Sequence, residues 1–205
     1  QKFEVPLSTE AGPANSLSFD GTRYTAGTDF VPLAMSSNDR VSAEVIFAGY
    51  GFRADNDSMK WNDFSGMDVK GKWIMLLRGY PESNNAASDY FSLSSDRTKV
   101  LTAKDNGAAG VLLVSGDNWD PSDNLDKPAR GEGNAGIPVI QIKRFIANEL
   151  LKASGINIKE AESRINSELK PLCVSTGVVL DGEAEIVTKN VSTANVAMML
   201  PGKSL

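Results

Sequence analysis

The sequence predicts an α+β fold, in which a β-sandwich or small barrel is combined with a strand–helix–strand core and flanking helices. Three observations carry this prediction. Strand-like runs lie at both ends of the chain. An apolar run at 72–77, a helical stretch at 96–106 and a second apolar run at 110–114 follow one another. Two amphipathic helical stretches, 143–154 and 157–169, then precede the last strands. No internal repeat or linker-like break divides the 205 residues, so a single domain over 1–205 is expected, with its core at about 41–142.

Leu17, Ser18 and Phe19 read as a strand ending at Asp20-Gly21, a pair that tolerates the positive φ of a tight turn. Another short strand is expected within 24–33, interrupted by Gly27 and Pro32. Over 40–48, Val41, Ala43, Val45 and Phe47 alternate with Ser42, Glu44 and Ile46; the apolar Ile46 implies burial on both faces at that end. The run 72–77 is continuously apolar after Lys72, as central strands are. A long polar loop, 79–95, follows. Asp96 is the expected N-cap of the next helix and Gly107 its left-handed C′ residue, with Val100, Ala103 and the stem of Lys104 facing inward. The strand at 110–114 completes a strand–helix–strand unit and predicts a parallel pair.

A second polar loop, 115–136, carries Asp117, Asp120, Asp123 and Asp126. A short strand at 138–142 leads to the helix 143–154, with Phe145, Ile146, Leu150 and Leu151 inward and Gly155 closing it. In the helix 157–169, Ile158, Ala161, Ile165 and Leu169 share one stripe, Asn157 with Glu160 resembles a capping box, and Pro171 ends it. Strands over 173–180, 185–191 and 195–200 complete the chain, with Asp181-Gly182 as a hairpin turn.

Composition narrows the chemistry. At 41% hydrophobic and 23% charged the chain reads as soluble and globular. Net charge is −5 and basic runs are missing, which argues against nucleic acid and anionic membrane as partners. Apolar stretches are no longer than five or six residues, far short of the roughly 20 that membrane insertion needs. Cys173 has no second cysteine to pair with and reads as a small buried apolar residue. Gln1 is not an initiator methionine and no leader follows it, so any signal segment has been removed or lies upstream.

The chain contains no histidine. This removes Ser-His-Asp and Cys-His nucleophilic systems, the HExxH metal site and the common histidine-containing zinc sites. No catalytic residue and no metal ligand is therefore assigned. Gly49-Tyr50-Gly51 lacks the third glycine and the Gly-Lys-Ser/Thr ending of a phosphate loop and reads as a tight strand exit. Asp55, Asn56 and Asp57, with Asp63 and Asp68 nearby, and the four aspartates of the second loop offer oxygen ligands of the kind calcium takes, but neither run has the EF-hand pattern. Solvated turn residues are the default reading of both. With 26 acidic residues some carboxylate pair always lies at a glycosidase-like distance, so an autonomous carboxylate hydrolase stays open as an alternative. Trp73 falls in an apolar strand and reads as core; Trp61 reads as a loop anchor; Trp119 is either an anchor or an interaction surface.

Over roughly 41–142 the order of motifs resembles the protease-associated (PA) domain inserted into secreted two-zinc aminopeptidases of the leucyl aminopeptidase and glutamate carboxypeptidase-like kind. A strand ends in Gly49-Tyr50-Gly51; an acidic aromatic loop runs Trp61-Asn62-Asp63-Phe64-Ser65-Gly66; Asp68 to Lys72 gives Asp-Val-Lys-Gly-Lys, with Gly71 before Lys72. Lys99, Ala103, Gly107 and Ala108 match a Lys-x3-Ala-x3-Gly-Ala helix. The tail from Asn195 resembles the lead into the catalytic domain of these enzymes, so 195–205 is expected to begin that lead.

The resemblance implies a PA-type fold of swivelling β/β/α architecture and a non-catalytic accessory role, gating substrate access or binding protein or peptide. It implies no cofactor in this chain and two zinc ions in a catalytic domain outside it. The implied partners are the chain's own peptidase domain and its peptide substrate. It also implies export, to periplasm, cell surface or medium. Arg97 lies near the place where some relatives carry a substrate-reaching basic residue, and Arg97 and Trp119 are the expected substrate contacts. The loops 79–95 and 115–136 are the expected functional surface, rich in residues that rearrange cheaply. A stand-alone extracellular protein- or glycan-binding module, using Trp119 and the acidic loops, is the alternative from another class.

Overall fold

A computed structural model describes residues 2–56, 59–83, 85, 87–127 and 133–194. Its strands are β1 (Lys2–Ala11), β2 (Ser16–Phe19), β3 (Thr22–Arg23), β4 (Phe30–Pro32), β5 (Asp39–Ala48), β6 (Arg53–Asp55), β7 (Lys60–Asn62), β8 (Trp73–Leu77), β9 (Gly110–Val114), β10 (Val139–Ile142), β11 (Cys173–Ala184) and β12 (Ile186–Ala194). The helices are α1 (Asp96–Asp105), α2 (Arg144–Leu151) and α3 (Ile158–Glu168). An α+β fold is thus present, mostly of strands.

Eight strands form one curled sheet in the order β3-β2-β11-β5-β8-β9-β10-β4. The four central strands, β5, β8, β9 and β10, run parallel, and antiparallel pairs flank them. Strand β8, helix α1 and strand β9 make the expected parallel unit, with Trp73 opposite Gly110 and Leu77 opposite Val114. The continuous apolar runs are explained by two cores, one on each face. Trp73, Met75 and Leu77 face a layer with α2 and α3. Ile74 and Leu76 face a second layer that holds Val100 and Ala103 of α1. Pro32 sits on the edge strand β4, where its missing N–H costs no ladder bond.

Several expectations are corrected. Asp181 and Gly182 make no hairpin turn; they lie inside β11, opposite Ser42 and Val41. The reason is Trp73: a Cβ at Gly182 would stand 2.8 Å from its indole, and one at Gly110 would stand 2.4 Å away. Glycine there makes room for the largest buried side chain, and the Asp-Gly pair signals packing instead of a turn. Phe145 is 49% and Leu169 is 40% exposed, so neither faces inward. Leu169 is the left-handed residue that ends α3, which turns it off the apolar stripe. Asp96 is not the N-cap; Ser95 holds that position and makes no capping bond. Lys104 is exposed, and the lysine that α1 buries is Lys99. The capping box of Asn157 and Glu160 forms as expected. The loop 79–95 contains a short 3-10 turn, Asp89–Leu93.

Strands β1 and β12 pair with each other as a separate two-stranded ribbon. The strand expected at 195–200, and the lead expected over 195–205, lie outside the described residues.

Candidate functional site

The motif glycines open a cradle for one carboxylate. Gly49 and Gly51 both have positive φ, +46 and +72. A Cβ on Gly49 would stand 2.8 Å from Asp63 Oδ1, and one on Gly51 would stand 2.7 Å from Leu76. The β6–β7 hairpin brings Asp63 back under the strand exit, where the Phe52 amide donates to Oδ2 at 2.9 Å. Asp63 is fully buried, and no regular hydrogen bond reaches Oδ1 or the buried Trp61 Nε1. Burial pushes the Asp63 carboxyl up to about 7 against the opposing Phe52 amide, Trp61 indole and Lys99 ammonium.

Lys99 faces the same node from α1. It is fully buried and donates to the carbonyl of Leu77 at 2.6 Å and to that of Gly79. Its ammonium lies 5.1 Å from the Tyr50 ring centroid and 5.2 Å from that of Phe52, two rings that stack on each other. Burial pulls its pKa down to about 7, against the attraction of Asp96 and Asp63. The Tyr50 hydroxyl donates to Asn166 Oδ1 at 2.9 Å, tying the node to α3. Gly49, Tyr50, Asp63 and Lys99 therefore form one buried polar knot at the end of β8.

The remaining motif residues hold the frame. The Gly71 amide donates to the Gly107 carbonyl at 2.8 Å, and both residues have positive φ. Gly66 turns the acidic loop with φ +83. Lys72 pairs with Glu44. Ala103 and Ala108 are buried in the second core.

Above the knot lies a surface built from the two polar loops. Tyr80 makes edge-on contacts with Phe91, at 5.8 Å between centroids, and with Trp119, at 6.5 Å. Phe91 is 60% and Trp119 is 44% exposed. Trp119 lies over Gly79, whose missing Cβ would stand 2.5 Å from the indole. Beside this aromatic group is a cavity of about 370 Å³ lined by Glu82, Ser83, Asn118 and Asn166. Arg97 is elsewhere: its guanidinium donates to the Gly133 carbonyl, and the two expected substrate contacts share no partner.

The acidic loop is tied down, contrary to the expectation that it rearranges cheaply. Arg144 pairs with Asp117, stands 3.7 Å from Asp123 and donates to the Pro121 carbonyl at 2.8 Å. Gln141 accepts from the Asp126 amide and donates to the Asn124 carbonyl. Arg78 pairs with Asp96 at 2.8 Å and Asp126 at 2.7 Å. Burial alone would lower the Arg78 pKa, but the two carboxylates outweigh it and raise it. Glu162, buried on α3, accepts from the Asn118 amide at 3.2 Å. Burial raises its pKa, against that amide and the amide of Asp117.

Three of the four aspartates of the second loop thus have arginine partners, and Asp120 accepts from the amides of Ser122 and Asn124. In the first acidic run Asp57 lies outside the described residues. Among the described residues no group of three potential ligands could hold a metal ion. Cys173 is half-buried and burial pushes its thiol up to about 11, which keeps it protonated.

Sequence reasoning missed the charged groups that organise this end of the molecule: Arg78, Arg144, Glu162 and the burial of Lys99. Only Lys99 left a signal, because it adjoins Val100 and lies four residues before Ala103 on one helical face.

The sequence pattern of the PA domain matches residues 30–150. Among solved structures, the chain is similar to the aminopeptidase from Aneurinibacillus sp. strain AM-1, with a TM-score of 0.56 at 16% identity over 94% of this chain and 35% of that one. It is also similar to BSAP, a zinc aminopeptidase from Bacillus subtilis, at 0.48, 17%, 94% and 34%. A peptidase M28 precursor from Shewanella amazonensis SB2B matches at 0.44, 13%, 94% and 38%. The chain spans about a third of the length of these structures. No curated protein sequence matches it.

Proposed function

Because this chain belongs to the PA domain family, we propose that it is the non-catalytic accessory domain of an exported zinc aminopeptidase and that its loop surface governs access of peptide to the active site. Support comes first from chemistry. The chain has no imidazole, so a dinuclear zinc site of the usual type needs ligands from outside it. The observation that carries the reading is the rigid mount of the Tyr80–Trp119 surface. Exposed aromatic rings sit on loops that Arg78, Arg144 and Glu162 hold in place. Such a surface presents a fixed aromatic shape to a passing chain.

On this reading the two zinc ions belong to the peptidase domain, which hydrolyses the N-terminal peptide bond. The partners of this chain are that domain and the peptide substrate. Arg97 and Trp119 are the substrate contacts. Trp119 offers a ring face; Arg97 offers its guanidinium once the Gly133 carbonyl is released. Export fits the family, and no described helix is long and apolar enough to cross a membrane.

The test uses two samples, this 205-residue chain and the same chain expressed joined to the peptidase domain that the proposal assigns to it. Each is supplied with zinc and an aminoacyl-p-nitroanilide. Turnover by the joined form alone is expected. Turnover by the 205-residue chain would overturn the proposal, and would favour the autonomous carboxylate hydrolase.

A further inference from the structure

Beside the edge strand β3, three aromatic rings run from the core out to solvent. Phe19 and Tyr24 stack with centroids 5.2 Å apart, and Phe145 meets Tyr24 at 6.1 Å with the planes tilted by 52°. Phe19 is buried, whereas Phe145, in the first turn of α2, is half in solvent. The rings line a groove of about 550 Å³ together with Asp20, Glu149 and Lys152. None of these residues lines the cavity beside Trp119.

The groove is acidic. The Tyr24 hydroxyl titrates above the ordinary tyrosine value, first because it is partly buried and then because Glu149, Asp20 and Asp29 oppose a negative charge there. Lys152 is the one cation among the described lining residues; it pairs with Glu149 at 3.2 Å, with both side chains largely in solvent, where such a pair is weak. Asp20 pairs with no cation among the described residues. The buried knot shows what two such rings do with a cation. Tyr50 and Phe52 stand 5.7 Å apart, and the Lys99 ammonium lies 5.1 and 5.2 Å from their centroids. Tyr24 and Phe145 have nearly that spacing, yet among the described residues no cation lies over them.

We propose that this groove binds an arginine side chain of a polypeptide partner. Charge complementarity selects that occupant. A purely apolar group would cover Asp20 and Glu149 without pairing them, which costs free energy, and an acidic group would be repelled. Flat rings beside carboxylates suit the planar guanidinium, which stacks and forks, better than a compact, strongly hydrated ammonium. The apolar stem of the arginine lies against Ala153 and Val178. The net charge of −5 favours a basic partner at longer range. Lys152 competes with the incoming guanidinium for Glu149.

Nuclear magnetic resonance of the 205-residue chain tests this, with acetylated, amidated Gly-Arg-Gly as the probe and Gly-Lys-Gly and Gly-Leu-Gly as controls. Gly-Arg-Gly should shift the ring signals of Tyr24 and Phe145 saturably, with a Kd on the order of 1 mM. Gly-Lys-Gly should bind several-fold more weakly, and Gly-Leu-Gly should cause no saturable shift. Phe145→Ala and Glu149→Gln should each weaken binding at least about fivefold. Lys152→Gln should tighten it, and Trp119→Ala should leave it unchanged. Unaltered amide signals of β8 and β9 in each variant check the fold. A probe that shifts neither ring saturably would overturn the inference. So would equal binding of either control, or full binding retained by both Phe145→Ala and Glu149→Gln. Binding lost in Trp119→Ala would place the arginine at the other aromatic group and also overturn it.

Discussion

Gly49 and Asp63 are fitted to each other: a Cβ on Gly49 would come within 2.8 Å of the buried carboxylate oxygen of Asp63. The glycine also has φ +46, a conformation that L side chains rarely adopt. Gly49→Ala therefore adds backbone strain and crowds a group that has no room to move. The expected loss is about 2–4 kcal/mol, read as a lower urea midpoint with unchanged slope. An unchanged midpoint would show that the cradle is not needed.

The Asp63–Lys99 knot gives stability a distinctive pH profile. Asp63 has a folded pKa of about 7, raised from 3.8, so its contribution is full below pH 3.8 and is lost as pH rises through 7. Lys99 has a folded pKa of about 7, lowered from 10.5, so its contribution is full above pH 10.5 and is lost as pH falls through 7. The two groups together place a minimum near pH 7. Asp63→Asn should remove the decline between pH 4 and 7, and Lys99→Met should remove the rise between pH 7 and 10. Urea denaturation of the three proteins across that range decides it; parallel profiles would contradict the account.

Arg144 is the fastener of the acidic loop. Arg144→Ala removes its contacts with Asp117, Asp123 and the Pro121 carbonyl at one stroke. Because these groups are partly solvated, the expected global cost is about 1–2 kcal/mol. The larger effect is local: limited proteolysis should open a new cleavage site within 116–126 while the core stays resistant. A cleavage pattern identical to that of the unaltered protein would place the restraint elsewhere.

Much of this architecture was legible in the sequence, and the reasons are physical. Runs such as Trp73–Leu77 and Gly110–Val114 announce buried central strands, because both of their faces meet a core. The capping box of Asn157 and Glu160 was legible because its two hydrogen bonds are local. What failed was set by distant partners. Asp181-Gly182 has the composition of a turn, but Trp73, more than a hundred residues earlier, needs the space. Phe145 matched the helical period, yet it lies at the rim beside Tyr24, 6.1 Å between ring centroids, and not under the sheet. The motif glycines and Lys99 could be matched to a family, but their convergence on Asp63 could not, because burial of a charge depends on what encloses it. The ion pairs that mount the loop surface join residues 18 to 48 positions apart and leave no periodic trace.

The most direct test of the central claim is steady-state kinetics, with a series of peptides, of the chain joined to the zinc peptidase domain proposed for it, comparing the unaltered protein with Trp119→Ala and Arg97→Ala. Trp119 is half in solvent, over Gly79 and beside Tyr80, so its loss should leave the fold intact. The account predicts a several-fold rise in KM at unchanged kcat for both variants, because uniform binding is lost and the zinc chemistry is untouched. Identical KM values for every peptide would contradict it, and would mean that this surface does not meet the substrate.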